Sequence, residues 1–162
     1  FPEIIAIFSE TICAVRPLIP VSISSKINVG ISSRSANTDF NASIIRDNSP
    51  PDAIFVSIHM NKFPQSQYHG LQVYYSDNHA DSAELAQSIQ SFCRLYLQPD
   101  NQREVKKAGS NIFLLDRAEM PAVLVECGFL SNAEETEKLC DDEYRKKLSF
   151  MLSMAIVSYL ES

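Results

Sequence analysis

DAIFVSIHMN, residues 52–61, runs from four consecutive apolar side chains, Ala53-Ile54-Phe55-Val56, to an imidazole at His59 and an amide at Asn61. The β-branched and aromatic content of so short a run predicts a buried strand. A core strand that ends in His-x-Asn presents polar groups at the edge of a site. The same pattern recurs downstream, where Ala122-Val123-Leu124-Val125 is followed at once by Glu126. That run and Ile112-Phe113-Leu114-Leu115 are nearly continuous rather than alternating, so both are expected to be strands covered on two faces.

Between and after these runs the chain reads as helices. Asp81-Ser82-Ala83-Glu84 has the capping-box pattern, and Leu85, Ala86, Ile89, Phe92, Cys93 and Tyr96 follow at helical spacing until Pro99. Val73-Tyr74-Tyr75, after Gly70-Leu71, is a further strand. Ser131-Asn132-Ala133-Glu134 is a second capping box opening a helix through Leu139, and a last helix carries Leu148, Met151, Leu152, Ala155, Ile156 and Tyr159. Strands alternating with helices predict an α/β fold: a three-layer domain with a mostly parallel sheet covered by helices on both faces. Residues 1–51 are Ile- and Ser-rich, with prolines at 2, 17, 20, 50 and 51 and no sustained period. EIIAIF and VSISSKINVGI are candidate strands there, and SANTDFNASIIRDN a candidate helix. One domain is expected over 1–162.

Composition narrows the function classes. A length of 162 residues suffices for a buried core, and 45% hydrophobic with 21% charged residues is an ordinary globular mixture. A net charge of −6 argues against a broad nucleic-acid surface, which needs a basic stripe. No apolar run reaches the length of a membrane span. Cys13, Cys93, Cys127 and Cys140 are too few and too dispersed for a disulfide scaffold or a zinc ribbon, and buried free thiols are the expectation. A chain opening at Phe1 is expected to be a fragment or a processed product, and no signal peptide is visible. Oligomeric state is not legible.

SIHMN at 57–61, HGLQVYYS at 69–76 and PAVLVECGFLSNAEE at 121–135 together resemble the zinc-dependent N-acetylmuramoyl-L-alanine amidases, the family that includes spore-cortex amidases of sporulating bacteria. The likeness covers about Asp52 to the C-terminus, and Glu-x-Gly-Phe-Leu-Ser-Asn is its most specific part. It implies hydrolysis of the amide between the lactyl group of muramic acid and L-alanine, peptidoglycan as partner, and an extracellular or cell-envelope location. It implies Zn2+ held by His, Glu and His, with His59 matching the second histidine and Glu126 the catalytic carboxylate that is not a ligand. The first two family ligands, in a Gly-His-Gly loop and at the start of the next helix, have no counterpart: all three histidines lie at or after position 59. Activity of this particular chain is therefore open.

Elementary chemistry agrees with those roles. Amide hydrolysis needs an activated water, a stabilised oxyanion and a carboxylate to move the proton to the leaving amine. Ligands in open α/β sheets bind outside the carboxyl ends of strands, where His59 and Glu126 both stand. Taken singly, each has a plainer reading, as a hydrogen-bonded strand-end histidine and an ion-paired glutamate. Asn61 is expected to bond the loop backbone and position His59, with substrate contact as the alternative. His69 and His79 are expected in exposed loop or helix-start positions without a metal role. Cys127 is expected to be a buried thiol and AEETEKLCDDE a solvated helix face and turn. The rival function is a non-catalytic peptidoglycan-binding pseudoenzyme lacking a complete zinc site; a zinc carboxypeptidase of similar fold fits the motifs less well.

Overall fold

The computed structural model describes the backbone of residues 4–9 and 27–32 and the whole of residues 53–162. The elements in chain order are β1 (Ile4–Ser9), β2 (Ile27–Ser32), β3 (Ile54–Asn61), β4 (Gln72–Tyr75), α1 (Ser82–Tyr96), β5 (Lys106–Lys107), α2 (Phe113–Arg117), β6 (Ala122–Phe129), α3 (Ala133–Cys140) and α4 (Asp142–Leu160). The strands form one sheet in the order β2-β1-β3-β6-β4-β5. Every neighbouring pair is parallel except β4 with β6. The mostly parallel α/β architecture expected from the alternation is thus present, with β1 and β2 falling in the two candidate strands of the first half. The candidate helix SANTDFNASIIRDN lies outside the described residues.

Side-chain alternation divides the sheet into two chemically different faces. Ile54 and Val56 of β3, Val123 and Val125 of β6 and Val73 of β4 point into the larger core, which α1 and α4 complete with Leu85, Ile89, Leu148, Leu152 and Ile156. The two helices are also tied directly, Ser88 Oγ donating to the Ala155 carbonyl at 2.9 Å. On the opposite face Phe55, Ala122 and Leu124 pack with Leu115, Ala118 and Met120 from α2 and the loop behind it. Helical cover on that face is a single short helix among the described residues.

Four local expectations need correction. Ile112–Leu115 is no strand: Ile112 ends a turn from Gly109, and α2 follows over Phe113–Arg117. A four-residue apolar run satisfies either period, and here Leu115 alone becomes fully buried, as one face of a short helix requires. Asp81 stands at the N-cap of α1 without a side-chain cap bond; its carboxylate lies 3.8 Å from His79 Nδ1 instead. At α3 the cap falls one residue later than expected, Asn132 Oδ1 accepting from Glu135 N at 3.1 Å, while Ser131 Oγ accepts from Phe63 N. Tyr96, expected on the apolar face of α1, is 61% exposed at the end of that helix.

Candidate active site

His59 and Glu126 come side by side. They are direct register partners in the parallel β3–β6 pair, and Gln72 of β4 is the antiparallel partner of Glu126 on its other side. Opposed residues of paired strands share a face, so His59, Glu126 and Gln72 form a row across the sheet, on the side of Phe55 and Leu124. Beyond this row the β3–β6 register shifts: one residue, Met60, lies between His59 and Asn61, whereas two, Cys127 and Gly128, lie between Glu126 and Phe129. The extra residue is a bulge in β6 at Cys127–Gly128, a device that re-aims strand ends beside a site.

The electrostatics of the two groups differ. Burial lowers the pKa of His59 from its ordinary value, favouring the neutral imidazole. Its Nε2 shares a 2.7 Å hydrogen bond with Ser57 Oγ, two residues back on the same face. That bond restrains the ring plane and leaves Nδ1 as the other nitrogen of the imidazole. Glu126 Oε2 is sealed from solvent and has no hydrogen-bond partner among the described residues. Burial pushes its carboxyl up to about 7. A buried polar atom without a partner is rare in folded proteins and marks a place where something other than the fold satisfies it.

The remaining candidates sort out as follows. The Asn61 carbonyl accepts from Leu130 N at 2.8 Å, so its backbone fastens the loop after β6, whereas its side chain makes no hydrogen bond among the described residues. His69 is exposed, with its carbonyl accepting from Arg103 Nε at 2.7 Å. His79 Nδ1 accepts from Asp81 N at the start of α1. Cys127 is buried, and burial raises its thiol far above the ordinary range. Among the described residues no three His, Cys, Asp or Glu side chains cluster closely enough to hold a metal ion.

Two contributors escaped the sequence reading. Ser57 could have been found, since strand alternation places it on the face of His59. Glu135 could not. It sits in the acidic stretch expected to be solvated, yet it is buried, and Oε2 accepts from Gly70 N at 2.9 Å and Phe129 N at 3.0 Å. One carboxylate thereby holds the loop entering β4 against the end of β6.

The sheet thus belongs to an α/β domain that sets an imidazole and a desolvated carboxylate side by side at its strand ends. A profile of the N-acetylmuramoyl-L-alanine amidase family matches residues 24–158, and the chain belongs to that family. The match begins well before Asp52 and so takes in part of the first half. Among similar proteins, a germination-specific N-acetylmuramoyl-L-alanine amidase of Bacillus subtilis is 29% identical over 106 residues, 65% of this chain and 44% of that protein. The amidase LytC of the same organism is 33% identical over 108 residues, 65% of this chain and 21% of that protein. The chain thus spans less than half the length of either relative. The CwlD amidase of Clostridioides difficile, solved in complex with the GerS lipoprotein, superposes with a TM-score of 0.76 at 27% identity, covering 98% of both chains.

Proposed function

We propose that this chain is an N-acetylmuramoyl-L-alanine amidase domain, a single domain over 1–162 acting on peptidoglycan in the cell envelope or outside the cell. The reading is carried by one observation: the desolvated carboxylate of Glu126, without a hydrogen-bond partner among the described residues, beside His59 at the ends of paired strands. A carboxyl held near pH 7 is poised both to take and to return a proton at neutral pH. Glu126 accepts a proton from the attacking water, and the water oxygen bonds to the lactyl carbonyl carbon. Glu126 then returns the proton to the amide nitrogen as the C–N bond breaks, leaving the lactyl carboxylic acid, which loses its proton to water at neutral pH, and the free amine of L-alanine. Asn61, with its side chain uncommitted among the described residues, is a substrate contact.

The residues present suit Zn2+ in part. His59, kept neutral by burial and oriented by Ser57, is a competent ligand, and Glu126 lies alongside it as a proton carrier. Zinc, when bound, supplies Lewis acidity toward the amide carbonyl and lowers the pKa of water. Glu126→Gln preserves shape and removes the base, so amine release from muropeptides in zinc-supplemented buffer is expected to fall ~10²–10⁴-fold. Unchanged release by that variant would overturn the assignment. Binding of peptidoglycan with no release by the unaltered chain would favour the pseudoenzyme instead.

A further inference from the structure

Four arginines fall among the fully described residues, and three of them, Arg94, Arg117 and Arg145, face the carboxylates of Glu104, Asp116 and Asp142. Arg103 has no carboxylate within ion-pairing distance among the described residues. Its guanidinium lies 4.5 Å from the ring centre of Phe129 and 5.9 Å from that of Tyr68. Nε is engaged by the His69 carbonyl, and one Nη stands 3.4 Å from Gln72 Oε1. Two aromatic rings and a backbone carbonyl thus fix the plane of a half-buried cation and leave donors of its fork unassigned. A planar fork held in this way suits a carboxylate.

The position of this cation relative to Glu126 is set by the sheet. Gln72, which the guanidinium touches, is the register partner of Glu126, so Arg103 stands on the β4 side of the carboxylate and His59 on the β3 side. The Tyr74 phenol, raised chiefly by burial, is pushed up further by Glu126 and drawn down by Arg103, which puts both charges within reach of one side chain. Phe63 and Tyr68, in edge-to-face contact with centroids 5.1 Å apart, are 44% and 39% exposed and extend the wall beside Arg103.

The chemistry of a muropeptide selects what an arginine here can take. The lactyl carboxyl is consumed in the scissile amide and the N-acetylated sugars are neutral, so the anionic groups belong to the stem peptide. We propose that Arg103, clamped by Phe129 and Tyr68, binds a carboxylate of the stem peptide and directs that peptide across Gln72 on the β4 side of Glu126. The inference rests on the amidase reading and adds to it the orientation of the substrate: peptide toward β4, glycan toward β3.

The test is equilibrium binding to the Glu126→Gln chain, using a muramoyl tripeptide with free carboxylates and the same compound with its carboxylates converted to primary amides. Arg103→Ala in that background is expected to weaken the carboxylate probe at least about tenfold and the amide probe less than about twofold. Arg103→Lys keeps the stem and the charge but loses the fork, and gives an intermediate loss for the carboxylate probe alone. A thermal melt accompanies each variant, and if Arg103→Ala does not fold, the lysine variant carries the comparison. Equal weakening of both probes, no weakening, or no binding of the carboxylate probe when Arg103 is intact overturns the proposal. Muropeptide cleavage by the unaltered chain is scored separately. Discrimination between probes without cleavage sinks the amidase reading and leaves Arg103 as a peptide-carboxylate site; cleavage without discrimination sinks the Arg103 proposal alone.

Discussion

Glu126 carries a consequence that needs neither metal nor substrate to observe. In the metal-free fold its carboxyl is pushed up to about 7, so the folded chain holds a proton that the unfolded chain releases near the ordinary carboxylate pKa. Between those two values the folded state binds more protons, and stability falls as pH rises through the window. Well above pH 7 the full penalty, roughly 3–4 kcal/mol, is present. Urea melts of the metal-free chain at pH 4 to 8 should show this slope, and Glu126→Gln should flatten it; parallel slopes would mean that Glu126 is solvated. His59 and Glu126 were legible because each closes an apolar run, a signal contained in ten residues or fewer. Arg103 was not, because what distinguishes it is the absence of a carboxylate partner among the described residues and the presence of Phe129, and both depend on chain brought together by β4 and β6. The thiols divide by the same local criterion: burial pushes Cys93 up to about 12 and Cys127 higher still, while Cys140 is exposed. Of these three, a thiol reagent acting on the native chain is expected to modify Cys140 alone, as peptide mapping would show.

At the scale of elements, the end of β6 illustrates how a motif acquires its meaning from packing. A Cβ on Gly128 would lie 2.7 Å from Glu135 Oε2 and 3.2 Å from Leu139 Cδ1, so glycine is required there by close approach rather than by its own dihedral angles. The carboxylate needs that gap to reach Phe129 N and, across 65 residues of sequence, Gly70 N. Gly70, at φ +87°, turns the chain into β4 in the left-handed region that favours glycine. Glu135→Ala strands two buried donors and should cost about 2–4 kcal/mol. Gly128→Ala should be destabilising in the native background and distinctly less so with Glu135→Ala, because the clash partner has gone. Additive costs in the double variant would show that the two residues do not act through each other. Sequence pattern located α1 and α4 because each repeats its apolar period over several turns, and α3 from the polar residues that open it. It failed at α2, where four apolar residues are too few to tell one helical turn from a strand, at the N-cap of α1, where Asp81 makes no side-chain cap bond, and at that of α3, where Asn132 caps in place of Ser131.

At the scale of the molecule, the sheet assembles the candidate site from distant pieces, β3 delivering His59, β6 Glu126 and β4 the Gln72–Arg103 flank. The fold class was legible because alternating strands and helices leave few topologies open, whereas the strand order and the antiparallel β4 depend on pairings that no local pattern encodes. Metal affinity is likewise a property of the whole chain. Open zinc sites use three protein ligands, and residues 1–51 contain no histidine; their glutamates are Glu3 and Glu10 alone. With His59 as the imidazole at the strand ends, affinity should be low, since it depends on several donors converging at once. The full chain dialysed against a mild chelator is expected to lose its zinc. In undialysed samples at fixed total zinc, His59→Ala should abolish the metal that remains, whereas His69→Ala and His79→Ala should leave it unchanged, because those rings lie outside the row that contains Glu126. Stoichiometric zinc after dialysis would show that the first half supplies ligands of another kind, and loss of metal in His69→Ala would move the site away from β3 altogether.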